Sequence, residues 1–305
     1  MSRSPFKVRE IDGSVYEEQI MFIKTPAPRD DMILQLVPIM TQACEILRQE
    51  FEQYCSGENF NIEHKHDDSP VTQADFRANQ FITESLAQYS ADIPLLSEEG
   101  DYASRQQWQN FWLLDPLDGT KEFLHKRPEF TINLSLVEHA ETVFAILAIP
   151  GEQTMYICPR QGMPLKFDIP TQQWFEYCAE PDQTGPVQVG LSQSSQQKGQ
   201  YHEYLQVLEN MTTYTVFKAG SAYKFCMMLE HKVDIYPRFH PTSEWDTSAG
   251  QCLLERIGGG LVDFKGRPFL YNQRDSLLNG GFIAFRNREM KQLALTALAR
   301  MLSRH

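Results

Sequence analysis

The sequence predicts an α/β protein, and three observations indicate this class. Apolar residues recur at helical spacing before residue 90. They then form short continuous runs, or alternate at strand spacing, between residues 111 and 158. Helical and strand patterns alternate again after residue 186, and this alternation is typical of α/β architectures.

The composition also predicts how the chain is divided. At 305 residues the chain is long enough for one large domain or for two smaller ones that share an interface. A polar break at 180–186 separates the two periodic regions. We therefore expect an N-terminal arm over 1–30, an N-terminal α+β subdomain over 31–185 and a C-terminal α/β subdomain over 186–305.

The first half contains two predicted helices followed by a group of strands. Two prolines in "TPAPRDD" favour an extended arm before the first helix, which is predicted from Met32 to about Tyr54. Phe76, Ile82 and Leu86 predict a second helix. The predicted strands are "FWLLD", "TINLSLV", "VFAILAIP" and "MYIC".

The second half alternates strands and helices after a polar stretch at 161–186. In "ERIGGGLVDF", glycines end a helix and a strand follows. The predicted helices are 222–231, 247–256 and about 288–303. The predicted strands are "VQVGLS", "TYTVF", "VDIYP", "LVDF" and "GGFIAF".

Charge and cysteine usage narrow the class of partners. The formal net charge is -12 and no run rich in Lys and Arg compensates, so we expect no nucleic-acid polymer as a partner. The six cysteines lack CxxC or zinc-type spacing, which predicts reduced thiols and a cytoplasmic protein. No stretch approaches about 18 apolar residues and the N-terminus lacks a signal-peptide core, so we expect no integral membrane segment. Peripheral membrane contact is compatible with the sequence.

Two aspartates stand close together in the segment "LLDPLDGTKEF". Asp115 and Asp118 bracket a turn in which Pro116 restricts one backbone angle and Gly119 permits an unusual one. Such a turn can aim both carboxylates and the Leu117 carbonyl at one point.

The pair alone is also typical of a helix-capping turn, in which Asp118 or Thr120 caps the next helix. Further acids weaken that interpretation. "PLLSEEG" places Glu98 and Glu99 after another apolar run, and "SEWDTSAG" places Asp246 at the start of a predicted helix. Carboxylates that converge at strand ends repel one another unless cations bind between them. Oxygen ligands without His or Cys favour Mg²⁺ over zinc.

The motifs also resemble those of a known superfamily. "SEE", "DPLDGT" and "WDTSAG" resemble, in this order, three signatures of the inositol-monophosphatase-like superfamily of Mg²⁺-dependent, lithium-sensitive phosphatases. "DDSPVTQAD", "AGSAYKF", "IYPRFHPTSEWDTSAGQ" and "RDSLLNGGF" are similar to its CysQ-type 3'(2'),5'-bisphosphate nucleotidases. The resemblance covers roughly residues 32–286 and implies an alternating αβαβα sandwich.

The resemblance implies a site for two or three Mg²⁺ ions. One ion would lower the pKa of a bound water, and another would stabilise the leaving oxygen in an in-line hydrolysis without a covalent phosphoenzyme. Glu99 would order the adjacent loop or a water. The implied metal ligands are Glu98, Asp115, Asp118, Asp246 and the carbonyl of Leu117.

The resemblance also implies which residues activate water and hold phosphate. Thr120 would work with an acid of the segment D-x-S-P-V-T to orient and deprotonate the attacking water. Asp67 matches that position best, and Asp68 is the neighbouring alternative. The N–H groups of Gly119 and Thr120 would hold the phosphate oxygens at the start of a helix.

Substrate contacts are implied by the segment "AGSAYK". Ser221 and Lys224 resemble residues with which bisphosphate nucleotidases contact the second phosphate or the ribose. Arg274, Tyr223 and Phe239 are weaker candidates for contacts with phosphate or adenine.

One segment departs from the pattern. The family commonly carries a Ser-Arg-Ser-His-like stretch where this chain has "GLSQSSQQKG" at 190–199, without Arg or His. This departure weakens the expectation of a tightly recognised 5'-phosphate or adenine. Ser192, Ser194 and Ser195 could still donate hydrogen bonds, or they could be ordinary loop residues.

The resemblance therefore implies a cytoplasmic enzyme that binds a small phosphorylated molecule. The leading hypothesis is hydrolysis of 3'-phosphoadenosine 5'-phosphate, or its sulfated analogue, in sulfur metabolism. One alternative is an inositol monophosphatase or another sugar-phosphate phosphatase. A remote alternative is a non-catalytic sensor of a phosphorylated ligand, and a homodimer is compatible with either enzyme.

Overall fold

The computed structural model describes residues 6–11, 14–19, 21–57, 62–64, 70–100, 103–178, 185–192 and 199–304. These residues form seven α-helices and nineteen strands. The helices are α1 (Asp31–Ser56), α2 (Gln73–Tyr89), α3 (Thr120–Leu124), α4 (Gly199–Glu209), α5 (Tyr223–Leu229), α6 (Ser248–Arg256) and α7 (Arg288–Leu302). The strands are β1 (Phe6–Ile11), β2 (Ser14–Gln19), β3 (Phe22–Thr25), β4 (Ile62–His64), β5 (Pro70–Thr72), β6 (Leu95–Ser97), β7 (Asn110–Asp118), β8 (Thr131–Glu138), β9 (Glu141–Ile149), β10 (Thr154–Cys158), β11 (Leu165–Asp168), β12 (Gln173–Tyr177), β13 (Val187–Leu191), β14 (Tyr214–Lys218), β15 (Ile235–Arg238), β16 (Thr242–Ser243), β17 (Gly260–Asp263), β18 (Leu278–Asn279) and β19 (Phe282–Phe285).

The helices and two large sheets stack in five alternating layers. Helices α1 and α2 cover one face of an eight-stranded sheet with the order β3-β12-β11-β10-β9-β8-β7-β6. Helices α5 and α6 lie between this sheet and a five-stranded sheet with the order β14-β13-β15-β19-β17. Helices α4 and α7 cover the outer face of the five-stranded sheet. The predicted α/β class and αβαβα sandwich are confirmed.

Three hydrophobic clusters hold the layers together. One packs α1 and α2 against the eight-stranded sheet, around Leu47 and Trp112. A second fills the space between the two sheets and includes Leu147 and Phe225. The third packs α4 and α7 against the five-stranded sheet, around Tyr204. The second cluster joins the two halves of the chain and thereby fixes how their residues meet.

Strand direction places two acidic segments at one edge of the eight-stranded sheet. Its neighbouring strands are antiparallel except β6 and β7, which run parallel. The carboxyl ends of β6 and β7 therefore lie side by side. Glu98 follows β6 directly, and its N–H donates to the carbonyl of Leu114 in β7 (3.0 Å).

Polar side chains define the ends of the first two long helices. The Asp30 side chain accepts a hydrogen bond from the N–H of Ile33, and Gly57, whose φ is 85°, follows the last residue of α1. Helix α2 begins with a capping box of Thr72 and Asp75. None of the helices in the described part of the chain is long and apolar enough to cross a membrane.

The structure corrects one local prediction and confirms another. The polar stretch 161–186 contains β11 and β12, where the rings of Phe167 and Trp174 lie 4.6 Å apart in the core. The helix predicted from Phe76, Ile82 and Leu86 is confirmed as α2, although Phe76 is 46% exposed while Ile82 is buried. Six residues correspond to about 600° of helical rotation, so these two side chains lie on different faces of α2.

The predicted N-terminal arm is partly built into the fold. Strand β3, within 1–30, pairs with β12 at the edge of the eight-stranded sheet, and β1 pairs with β2. The eight-stranded sheet ends along the chain at Tyr177, and the five-stranded sheet begins at Val187. We infer that the subdomain boundary lies between these two residues.

A buried ion pair connects three strands of the five-stranded sheet. Asp234 and Arg286 have side chains that are each 1% exposed, and Nε of Arg286 donates to Oδ1 of Asp234 (2.8 Å). The other oxygen of Asp234 accepts the N–H of Gln188 (2.8 Å). Both charges are therefore compensated within the sheet.

We predict that Arg286→Met lowers the free energy of unfolding by about 3 kcal/mol, because it leaves the Asp234 carboxylate buried without its cation. Urea denaturation measures the change. Arg267→Met is the control, since Arg267 pairs with Asp263 at the surface and its side chain is 68% exposed; its loss should stay below about 1 kcal/mol. Equal losses in the two variants would contradict the prediction.

Candidate active site

A cleft of about 460 Å³ opens beside the ends of β7 and β15. All predicted metal ligands line it, and so do Gly119, Thr120, Ser221 and Lys224. The described residues that line the cleft are Glu98, Asp115, Leu117, Asp118, Gly119, Thr120, Lys121, Glu122, Ser192, Tyr201, Gly220, Ser221, Lys224, Tyr236, Arg238, His240, Pro241, Thr242, Ser243, Trp245, Asp246 and Leu278.

An irregularity at the end of β7 brings its two aspartates into the cleft. The pairing of β7 with β8 shifts between Asp115 and Asp118, so that Pro116 and Leu117 together stand opposite a single residue of β8. Proline has no N–H for the ladder and is compatible with such a bulge. Gly119 follows with a φ of 99°, which favours glycine. The chain can therefore turn sharply after the second aspartate.

The capping-turn interpretation of this segment is wrong. Helix α3 begins at Thr120 after Gly119, and no side-chain hydrogen bond caps it among the described residues. Instead, Oδ2 of Asp118 accepts hydrogen bonds from the N–H of Ala222 (2.6 Å) and from Nδ2 of Asn133 (3.3 Å). The Asp118 carboxylate is thus held by partners from both halves of the chain.

Three carboxylates converge in the cleft. Asp115, Asp118 and Asp246 each offer an oxygen, and these oxygens lie within 4.8 Å of one another. Asp246 is held by hydrogen bonds from the N–H of Ser243 (3.2 Å) and from the hydroxyl of Thr242. Glu98 lines the same cleft and raises the pKa of Asp115 electrostatically. This group of oxygen atoms could hold a metal ion.

The electrostatics of the group favour a bound cation. Burial, followed by the charges of Glu98, Asp118 and Asp246, raises the pKa of Asp115 well above its usual value. Burial and the charge of Asp246 raise the pKa of Asp118 to about 7. Both shifts report that the anionic forms are disfavoured in this environment. A divalent cation would offset the repulsion, and the all-oxygen donor set fits Mg²⁺.

The hydroxyl of Thr120 lies beside an acid that the sequence motifs did not single out. Its Oγ1 lies 3.4 Å from Oδ1 of Asp75 and 3.3 Å from the carbonyl oxygen of Leu117. Asp75 is buried in the α2 capping box, eight residues after the predicted acid. Asp67 and its alternative Asp68 lie outside the described residues, so their assignment stays a prediction.

Lys224 supports the rim of the cleft from inside the protein. Although it borders the cleft, its side chain is fully buried, and its ammonium donates to the carbonyls of Ala219 and Ser221 (2.9 Å each). Burial, followed by the charge of Arg238, lowers the pKa of Lys224 to about 7. Lys224 therefore holds the loop that carries Ser221, and its direct contact with a substrate stays a prediction.

The weaker candidates for substrate contacts lie elsewhere. Arg274 is not among the described residues that line the cleft, and it pairs with the buried carboxylate of Glu244 (3.3 Å). The Tyr223 hydroxyl donates to Glu152 (2.5 Å). Phe239 packs into the core between the five-stranded sheet and its outer helices. Each of these side chains is engaged in structural contacts instead.

Arg238 is a cleft residue that sequence reasoning missed. Its Nη1 donates to the Tyr236 hydroxyl (3.2 Å), while Nε is buried without a hydrogen-bond partner among the described residues. Burial alone would lower its pKa, but Tyr236, Asp246 and Asp118 raise the pKa overall. The available signal was its position at the end of the predicted strand "VDIYP", where α/β proteins place functional residues. For Asp75 the signal was its spacing from Thr72 in a capping box.

Comparison with known proteins decides the family. A sequence model of the inositol monophosphatase family matches residues 29–302. The chain belongs to the inositol monophosphatase family. Among members of the family it is similar to the Escherichia coli O157:H7 protein named 3'(2'),5'-bisphosphate nucleotidase CysQ, with 36% identity over 256 residues that cover 80% of this chain and 98% of the relative. The protein of that name from Salmonella typhimurium is 37% identical with the same coverage.

Solved structures of the inositol monophosphatase family have the same fold. CysQ from Bacteroides thetaiotaomicron is 27% identical with a TM-score of 0.70, and the match covers 85% of this chain and 99% of that chain. An inositol monophosphatase from Thermotoga maritima, at 18% identity and a TM-score of 0.71, covers 90% of this chain and supports the fold alone. The family and the fold predicted from the motifs are confirmed.

We predict that this inositol monophosphatase family member, freed of metal, loses stability as the pH rises through the window between the unfolded and folded pKa values of Asp118. The folded pKa is raised from 3.8 to about 7, so the folded state binds a proton more tightly, and raising the pH removes that advantage. Asp118→Asn should make the fall of the free energy of unfolding with pH less steep, by at most about 1.4 kcal/mol per pH unit. Urea denaturation with chelator at pH 5, 6 and 7 measures it.

Asp263→Asn is the control for this experiment. Burial alone would raise the pKa of Asp263, but hydrogen bonds from Arg267 and Lys265 lower it overall. Its stabilising effect is therefore present above the unfolded pKa and is lost only at more acidic pH. The control should keep the parent slope between pH 5 and 7. A parent-like slope in Asp118→Asn as well would contradict the assignment.

Proposed function

We propose that the protein is a Mg²⁺-dependent 3'(2'),5'-bisphosphate nucleotidase that converts 3'-phosphoadenosine 5'-phosphate to AMP and phosphate. The observation that carries the proposal is the convergence of Asp115, Asp118 and Asp246 in one cleft that also contains the cation of Arg238. The carboxylates suit a metal that engages the reacting phosphate, and the arginine suits a second phosphate. The names of the relatives at 36% and 37% identity support the same activity.

The metal site would be built from oxygen atoms at the ends of β6 and β7 and before α6. Bound Mg²⁺ would supply activation of water and stabilisation of the leaving oxygen. We expect two or three ions, because a single divalent charge offsets only part of the repulsion among four carboxylates. The proposed ligands are Glu98, Asp115, Asp118, Asp246 and the Leu117 carbonyl.

Thr120 and Asp75 would orient and deprotonate the attacking water. Oδ2 of Asp75 accepts hydrogen bonds from the N–H (2.8 Å) and the hydroxyl (2.6 Å) of Thr72, which hold the carboxylate in place. Its other oxygen faces Oγ1 of Thr120. Water could then donate to the Thr120 hydroxyl while that hydroxyl donates to Asp75, so one proton passes along each bond. We propose Asp75 for the role predicted for Asp67.

Arg238 would bind the phosphate that does not react. Its buried Nε has no partner in the described part of the chain, and guanidinium N–H groups match phosphate oxygens in geometry. Lys224 would act indirectly, by holding the loop of Ser221 at the rim. Gly119 and Thr120 line the cleft next to the carboxylates, and we propose that their N–H groups hold the reacting phosphate.

Release of inorganic phosphate from a substrate panel tests the proposal. At saturating Mg²⁺ we expect kcat/KM to be highest for 3'-phosphoadenosine 5'-phosphate, compared with inositol monophosphate and fructose bisphosphate, and activity to vanish with chelator. Preference for inositol monophosphate would support the alternative enzyme. Binding of phosphorylated ligands without turnover of any of them would support a sensor.

We predict that Thr120→Ala lowers kcat by about 10²-fold or more and leaves the Mg²⁺ concentration for half-maximal activity nearly unchanged, since its hydroxyl handles a proton and binds no metal. Steady-state kinetics over a Mg²⁺ titration measure both quantities. Thr120→Ser keeps the hydroxyl and is the matched control that should retain most activity. A weakened Mg²⁺ response with intact kcat would show that the role is wrongly assigned.

We predict that Arg238→Gln lowers kcat/KM for the nucleotide bisphosphate by about tenfold to a hundredfold, as expected for the loss of one charge-assisted contact. Inositol monophosphate, with one phosphate, should lose much less. Arg274→Gln is the matched control, because Arg274 pairs with Glu244 outside the cleft lining. If both substrates lose equally with Arg238→Gln, Arg238 supports the cleft and does not select the substrate.

A further inference from the structure

The end of β15 and the residues that follow it send alternate side chains to opposite sides. Arg238 and His240 line the cleft, while Phe239 between them is 8% exposed and packs into the core. This is the alternation expected of an extended backbone. His240 is half-buried and the next residue, Pro241, is exposed. The imidazole is therefore partly exposed where it lines the cleft, while its Nε2 atom is buried.

A tyrosine of α4 fixes this segment from behind. The hydroxyl of Tyr201 accepts the N–H of Phe239 (3.2 Å), and its ring centroid lies 4.8 Å from that of Phe239. The Tyr201 ring also lies 5.7 Å from the ring of His240, at an interplanar angle of 49°. Tyr201 is only 2% exposed, so His240 supplies most of the ring surface that this aromatic pair offers to the cleft.

The position of the pair matches the part of a substrate that does not react. The carboxylates and Thr120 occupy the reacting end. Asp246 and Asp118 act electrostatically on Arg238, so its guanidinium lies near them, and His240 stands two residues further along the chain. Leu278, which is 54% exposed, also lines the cleft and adds apolar surface. A flat, partly apolar ring system fits an aromatic side chain of this kind better than another phosphate does.

We propose that His240, backed by Tyr201, stacks against the nucleobase and is a specificity residue for nucleotide substrates over base-free phosphates. The proposal rests on the proposed function and adds the residue by which the base is recognised. Stacking on an aromatic ring tolerates different bases, because every base has a π face. The contact should therefore favour nucleotides as a class and should discriminate weakly among bases.

The test compares two substrates in variants of the full chain. 3'-Phosphoadenosine 5'-phosphate carries the base, and methyl riboside 3,5-bisphosphate carries both phosphates without it. His240→Ala should lower kcat/KM for the nucleotide by about tenfold and for the base-free compound by less than about twofold. His240→Gln, which lacks a ring, should behave like His240→Ala, and His240→Phe should keep the parent preference.

His202→Ala is the matched control, because His202 is exposed on the same helix as Tyr201. His202→Ala should leave kcat/KM unchanged for both substrates, and thermal unfolding should show that all variants fold. Three results would each overturn the proposal. They are an equal loss of kcat/KM on both substrates in His240→Ala, no loss in His240→Ala, and a loss in His240→Phe as large as in His240→Ala. A parent enzyme that does not hydrolyse the nucleotide would overturn the proposed function itself, before any variant is compared.

Discussion

Repulsion among carboxylates at the end of β7 is the constraint on which the rest of the structure depends. Asp115 is 1% exposed, yet its oxygens share a small volume with those of Asp118 and Asp246. Such a group costs stability in the absence of a cation, so the surrounding layers must hold it in place. The extensive packing around both sheets supplies the stability that offsets this cost, while the carboxylate group itself contributes little stability.

The two halves of the chain hold the group together. Asp118 belongs to the eight-stranded sheet, but its carboxylate accepts the N–H of Ala222, next to α5. Asn133 of β8 also joins the two halves, because its Nδ2 donates to Oδ2 of Asp118 and to the carbonyl of Trp245 (3.4 Å). The cluster around Phe225 fills the space between the sheets and keeps these partners at bonding distance. The geometry of the cleft therefore depends on the packing of the core in this protein.

The basic side chains around the site differ in what they do. Lys224 is buried and its ammonium holds a loop, while Arg274 compensates the buried Glu244. Arg238 lines the cleft with a nitrogen that has no partner in the described part of the chain. Each assignment follows from burial and hydrogen-bond partners, because a long basic side chain can reach several environments from one backbone position.

The sequence by itself determined most secondary elements, because apolar periodicity and the glycine and proline positions act locally. The resemblance of its motifs to those of a known superfamily indicated the family and the layered fold. The sequence also indicated Asp115, Asp118 and Asp246 as a group, since their motifs lie at strand and helix ends. Only the tertiary structure decided which residues meet. Asp75 reaches Thr120 across 45 positions, and Phe239 turns inward so that Arg238 and His240 face the cleft. Such contacts depend on how layers that are far apart in sequence pack together, and local sequence patterns do not determine that packing.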